Sequence, residues 1–179
     1  MADFEIVIAG FGGQGLLFAG KVLAYAGLVE GRQLSWLPSY GPEMRGGTAN
    51  CNVILSDNPV GSPIVEHPNV LMVMNNPSLD KYENAVQPGG TVFVDSTLIG
   101  RKLTRTDVEA VYIPATQMAI DMGVPTLANM ILLGAIIGRT GCIDFGSVET
   151  ALHKVIPARK ANLFDVNMQA LNAGREFKA

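Results

Sequence analysis

A short β-branched run, Ile6-Val7-Ile8-Ala9, leads directly into Gly10-Phe11-Gly12-Gly13-Gln14-Gly15, and an apolar-periodic stretch, Leu16 to Leu28, leaves it. Gly10, Gly12 and Gly15 satisfy the spacing G-x-G-x-x-G in the setting where it has physical meaning: strand, tight reversal, helix. Glycine tolerates the backbone angles such a reversal demands, and the exposed amides at a helix start receive anions. This order of elements predicts an α/β chain of Rossmann-like type. It leaves two readings of the turn itself, a phosphate cradle or a close packing of the first helix on the first strand.

A dinucleotide site also needs an acidic residue at the end of the second strand to hold the ribose hydroxyls. The second strand, about Gln33 to Leu37, ends in Pro38-Ser39-Tyr40-Gly41, with no carboxylate before Glu43. Glu30 stands near the expected count but precedes the strand, beside Gly31 in the preceding turn. A nucleoside triphosphate loop is excluded more firmly. Gly15 to Lys21 imitates G-x-x-x-x-G-K, yet Val22 replaces the magnesium-binding hydroxyl, and Lys21 falls well inside the predicted helix.

The remaining chain alternates helical and strand periodicities. Val70 to Met74, Thr91 to Val94 and Ala110 to Ile113 predict buried strands, and Thr48 to Ser56 an alternating one with Cys51, Val53 and Leu55 facing inward. Helices are expected over Ser78 to Tyr82, Ala115 to Met122, Thr126 to Arg139, Ser147 to Val155 and about Arg159 to Ala173. In the last, Leu163, Val166, Met168 and Leu171 have imperfect spacing, and Phe164 offers a second contact face. The turn-rich segment Asp57 to Pro63 is too short for an interdomain linker, so residues 1–179 are read as one domain. Its architecture is three-layered, a mostly parallel sheet with helices on both faces.

Several function classes drop out on composition. A formal net charge of −3 without a basic stripe argues against a nucleic-acid surface. Arg101-Lys102 and Arg159-Lys160 are short and isolated, as solvated turns or helix ends would be. Two cysteines, Cys51 and Cys142, are too few for an iron–sulfur cluster or structural zinc, so no metal site is expected; a buried free thiol suits a reducing cytoplasm. Asp3 and Glu5 stand where a signal peptide would be basic, and the apolar run Met130 to Gly138 is far shorter than the ~20 residues that cross a bilayer. No membrane insertion is expected, and the run reads as a core helix.

Catalytic groups are sparse. His67 precedes Pro68 in a turn and His153 lies on an amphipathic helix, and neither has metal-ligand spacing. Gln14 occupies the place where a nucleophile elbow would need a serine. No residue is therefore assigned a catalytic role, and a chain of this kind contributes a binding edge to chemistry done elsewhere. The dense polar chemistry sits in Ser39-Tyr40-Gly41-Pro42-Glu43-Met44-Arg45-Gly46-Gly47. Glu43 and Arg45 can pair across a turn stiffened by Pro42. Alternatively, the donor fork of Arg45 meets a phosphate or carboxylate, and Tyr40 stacks on a planar group or a partner chain.

Taken together, Gly12-Gly13-Gln14-Gly15 and Pro38 to Gly47, with Pro88-Gly89-Gly90, Asp95-Ser96 and Ala128-Asn129-Met130, resemble the gamma subunit of the 2-oxoacid:ferredoxin oxidoreductases over roughly Ile6 to Leu171. The resemblance implies a multisubunit thiamine-diphosphate enzyme. Such a complex decarboxylates a 2-oxoacid, passes two electrons through iron–sulfur clusters to ferredoxin, and releases an acyl-coenzyme A thioester. It implies partners of alpha, beta and delta type, which hold the thiamine diphosphate, magnesium and 4Fe-4S clusters, with none tightly bound by this chain. As a family-level expectation, a separate short gamma chain favours 2-oxoglutarate or a branched-chain oxoacid over pyruvate. On this reading Gly12, Gly13, Gln14 and Gly15, with Ser39, Tyr40, Gly41, Pro42, Glu43, Arg45, Gly46 and Gly47, form a rim of the coenzyme A or active-site channel, packed on a partner. Two other readings stand beside it: a free-standing dinucleotide-binding oxidoreductase, and a non-catalytic assembly subunit whose glycines serve packing alone.

Overall fold

A computed structural model describes residues 3–39 and 47–178. Among the described residues, six strands form one sheet: β1 (Phe4–Phe11), β2 (Gln33–Ser39), β3 (Thr48–Ser56), β4 (Val70–Val73), β5 (Thr91–Asp95) and β6 (Glu109–Ile113), in the spatial order β2-β3-β1-β4-β5-β6. β1, β4, β5 and β6 run parallel, and β3 runs antiparallel to both its neighbours, β1 and β2. The mostly parallel sheet expected from the sequence is therefore present, with a β2–β3 hairpin along one side. Pro38 lies in β2, where it fits, because an edge strand has one row of amides without ladder partners.

The helices are α1 (Leu16–Val29), α2 (Asn76–Tyr82), α3 (Ala115–Asp121), α4 (Ala128–Thr140), α5 (Phe145–Val155) and α6 (Leu163–Arg175). They divide unequally between the two faces. Ile6 and Ile8 of β1 pack into a large core with α1, α3, α4, α5 and α6, whereas Val7 and Ala9 face a smaller core with Leu79 of α2, Val86 and Ile99. This period-two division explains why β1 reads as a continuous apolar run: both of its faces are covered.

Helix α4 is the centre of the larger layer. Every residue from Ala128 to Ile137 is buried, as expected of a helix apolar on all sides. Each large apolar side chain buried in this way contributes ~1.5–3 kcal/mol. Helix α6 crosses α4 at very close range: a Cβ on Gly174 would lie 1.8 Å from the Ile131 carbonyl oxygen, and one on Gly134 would lie 2.0 Å from that of Leu171. The buried stripe of α6 is accordingly Asn167, Ala170, Leu171 and Gly174; of the residues the sequence pattern favours, Leu171 is buried and Met168 packs partly buried on the core, whereas Leu163 is exposed and Val166 is outside the buried stripe. Small residues make this face because backbone meets backbone there. Phe164 does form a separate contact, stacked on His153 with ring centroids 3.8 Å apart.

Helix α1 ends in a Schellman motif. Gly31, at φ +71, follows the Glu30 cap; Arg32 N–H donates to the Gly27 carbonyl and Gly31 N–H to that of Leu28. Glu30 then accepts from the Asp144 N–H at 2.6 Å, joining the end of α1 to the start of α5. Arg32 is buried beneath this corner, donating to the carbonyls of Leu55 and Cys142.

Candidate functional site at the carboxyl edge of the sheet

The glycine turn begins where β1 runs out. Phe11, the last strand residue, pairs with Thr48 of β3, and Gly15 caps α1 with a left-handed backbone, φ +75. Gly13 is also left-handed, φ +92, and a Cβ there would meet no atom within 4 Å. The turn's amides are largely committed inside the protein. Phe11 N–H donates to Gln14 Oε1 at 2.6 Å, Gln14 N–H to the Phe11 carbonyl at 3.3 Å, and Gly12 N–H to the Gly47 carbonyl at 3.2 Å. The Gln14 side chain also reaches across to β4, its Nε2 donating to the Met74 carbonyl at 3.3 Å.

The bond from Gly12 to Gly47 joins the two sequence motifs. β2 and β3 form a hairpin whose strands pair from Gln33↔Ser56 to Ser39↔Asn50, so its loop opens at the same end of the sheet as the turn after β1. Ser39 ends β2 in an exposed position, and Gly47 immediately precedes β3. Tyr40, Gly41, Pro42, Glu43, Arg45 and Gly46 lie outside the described residues. Beside the turn is a groove of about 270 Å³ lined by Phe11, Gly12, Gly13, Leu17, Phe18 and Ala49, among others. Phe11 is 42% exposed, large for an aromatic at a strand end. None of these lining side chains is an acid, base or nucleophile, so the groove's own chemistry is apolar shape beside backbone amides.

Asn129, at the first turn of α4, supports the turn from behind. Its Nδ2 donates to the Gly15 carbonyl at 2.9 Å, and a Cβ on Gly15 would lie 2.4 Å from that nitrogen. Gly15 is therefore required both by its backbone angle and by this approach. In the sequence Asn129 is visible only as part of a helix motif, because a contact spanning 114 positions leaves no local spacing to detect.

Other residues singled out by sequence are placed away from this edge or used structurally. Asp95, at the carboxyl end of β5, is fully buried; its oxygens accept from Thr116 Oγ1 at 2.6 Å and the Thr97 N–H at 3.1 Å. It thus ties the start of α3 to the strand end. Glu30 is occupied at the corner where α1 ends and α5 begins, remote from the carboxyl end of β2 where a ribose-binding acid belongs. Lys21 lies inside α1, with its ammonium 5.8 Å from the Tyr25 ring centroid. Arg101 is more than a solvated turn residue, since it pairs with Asp80 at 2.6 Å and Glu83 at 2.9 Å.

Both cysteines are buried and unbridged. Burial pushes the Cys51 thiol up to about 12, and burial likewise pushes Cys142 up to about 11. Among the described residues no group of three or more His, Cys, Asp or Glu is arranged to hold a metal ion. Two buried cysteines, Cys51 in β3 and Cys142 after α4, do not supply the thiolate set of an iron–sulfur cluster.

Residues 5–177 match the family model described as pyruvate ferredoxin/flavodoxin oxidoreductase. The chain is 42% identical over 177 residues to ketoisovalerate oxidoreductase subunit VorA of Methanothermobacter thermautotrophicus, which covers 98% of this chain and 36% of that protein. It is 36% identical over 180 residues to 2-oxoglutarate synthase subunit KorC of Methanothermobacter marburgensis, covering 97% of this chain and 95% of the relative. The crystal structure of a keto/oxoacid ferredoxin oxidoreductase gamma subunit from Geobacter sulfurreducens superposes with a TM-score of 0.83 at 31% identity, over 97% of this chain and 96% of that one.

Proposed function

The chain belongs to the pyruvate ferredoxin/flavodoxin oxidoreductase family, and from that premise we propose that it is the gamma subunit of a thiamine-diphosphate-dependent 2-oxoacid:ferredoxin oxidoreductase. The complex converts a 2-oxoacid to acyl-coenzyme A and CO2 and reduces ferredoxin; the isolated chain is inactive. Its companions are alpha, beta and delta subunits, which hold the thiamine diphosphate, magnesium and 4Fe-4S clusters, and the assembly works in the cytoplasm. No described helix is long and apolar enough to cross a membrane.

The observation that carries this chain's part in the reaction is the Gly12 to Gly47 hydrogen bond, which brings the glycine turn and the polar hairpin loop to one edge. That edge forms a rim of the coenzyme A or active-site channel. Arg45 orients an anionic group of the incoming thiol cofactor, Glu43 pairs with Arg45, and Tyr40 closes the contact with the catalytic partner. Phe11 and the groove beside it supply the apolar part of the same contact.

The substrate is a branched-chain oxoacid or 2-oxoglutarate, in keeping with the names of VorA and KorC. The test is copurification of the assembled complex, followed by viologen reduction with ketoisovalerate, 2-oxoglutarate, pyruvate and an aryl oxoacid. Coenzyme A-dependent reduction with one of the first two is expected, and none from the chain alone. A lone chain that binds NAD or FAD saturably and oxidises substrate would overturn the assignment.

A further inference from the structure

The crevice between the carboxyl ends of β1 and β4 is where the chain's connections part. β1 leaves through α1 on one face of the sheet, and β4 leaves through α2 on the other. Open α/β sheets place ligands at such switch points, and the glycines there ordinarily admit a pyrophosphate. In this chain the crevice already has an occupant. The Gln14 carboxamide spans it, taking the Phe11 N–H on Oε1 at 2.6 Å and donating from Nε2 to the Met74 carbonyl at 3.3 Å. A Cβ on Gly10 would stand 2.4 Å from that same Oε1, so the first glycine of the motif makes room for the amide of Gln14. The amides of Phe11, Gly12 and Gln14 all donate within the protein.

We propose that Gln14 is a positioning residue that acts as the internal ligand of the switch-point crevice. Its amide oxygen stands where a phosphate oxygen would lie, closing the turn to nucleotide phosphates. Its two hydrogen bonds hold the turn in the shape that presents the Gly12 N–H to Gly47. The G-x-G-x-x-G signature is thus retained for a different purpose, as a strut between β4 and the base of the polar hairpin loop. The functional weight of that strut rests on the rim reading given above.

Hydrogen exchange on the full chain tests the assignment without depending on enzymatic activity. In Gln14→Met, which fills the crevice but carries neither amide oxygen nor amide nitrogen, exchange at Phe11 and Gly12 should rise roughly tenfold while β5 stays protected. Gln14→Glu keeps an acceptor for the Phe11 N–H and should retain protection there, which separates the hydrogen bond from simple filling of space. Unchanged exchange at Phe11 and Gly12 in Gln14→Met would overturn the proposal. So would saturable binding of NAD or inorganic pyrophosphate by Arg45→Ala, in which the rim arginine is gone and the crevice is left to take the anion.

In the assembled complex, Gln14→Met should raise the KM for coenzyme A while leaving kcat within about twofold. Altered exchange with unaltered kinetics would uphold Gln14 as the internal ligand and overturn the rim reading. Unaltered exchange would overturn the Gln14 assignment whatever the kinetics.

Discussion

Cys51 shows how strongly a single position is fixed by its surroundings. It faces the larger core from β3, its Sγ 3.6 Å from the Leu16 carbonyl oxygen, and a Cβ on Gly20 would come within 2.5 Å of the sulfur. Helix α1 approaches the hairpin this closely only because Gly20 has no side chain, so part of the helix's glycine content serves packing. Burial raises the thiol from its ordinary value of 9.0 to about 12, and raises Cys142 to about 11. Both thiols should therefore resist aromatic disulfide reagents at pH 8 in the folded chain and react fully once it is unfolded. The sign of the pH dependence follows directly. As pH rises through 9, the unfolded chain releases thiol protons that the folded chain retains, so this contribution to stability is complete below 9 and is lost as pH climbs toward the folded values. Urea midpoints measured between pH 8 and 11 should fall for the wild type and fall less for Cys51→Ala. Equal slopes for the two would contradict the buried-thiol account.

Among the elements, the crossing of α4 and α6 is the least forgiving contact. Gly174→Ala places a methyl group against the Ile131 carbonyl, and backbone cannot swing aside as a side chain can. It should destabilise the chain by ~1–3 kcal/mol or more, whereas Gly61→Ala, where a Cβ meets open space, should stay within ~0.5 kcal/mol; denaturant unfolding of both variants checks the contrast. The sequence showed most of the elements and little of this crossing. Alternation over Thr48 to Ser56 and the apolar run over Val70 to Val73 are local signals, and the strands lie there. Helix α1 starts at Leu16 because Gly15 ends the turn, a feature equally visible in the chain. By contrast, the apolar pattern of α6, Leu163, Val166, Met168 and Leu171, marks Leu171 and the partly buried Met168 correctly, but hydrophobic periodicity is blind to the Asn167, Ala170 and Gly174 that complete the buried face. Strand order was similarly hidden, since β3 lies between β2 and β1 through long-range pairing that no spacing records. At the site, the two motifs were evident as residue strings, but the Gly12–Gly47 bond, the Gln14 bridge and the Asn129 support all join distant or sterically defined partners.

For the molecule as a whole, the layered sheet concentrates what is chemically distinctive at one edge. The opposite corner, with Glu30, Arg32 and the start of α5, is engaged in holding helices and strands together. The carboxyl edge instead carries the turn after β1, the mouth of the β2–β3 hairpin and the exposed Phe11, with no proton-transfer group among the groove residues. The function proposed above assigns to a chain built in this way the binding and positioning, and to its partners the electron chemistry. The most direct test of that claim is the coenzyme A dependence of 2-oxoacid-driven viologen reduction by the assembled complex, with wild-type chain and with Arg45→Ala. The account predicts that Arg45→Ala weakens subunit assembly or raises the KM for coenzyme A roughly tenfold, as loss of a charge-assisted contact should. Unchanged assembly with unchanged kinetics at every coenzyme A concentration would contradict it.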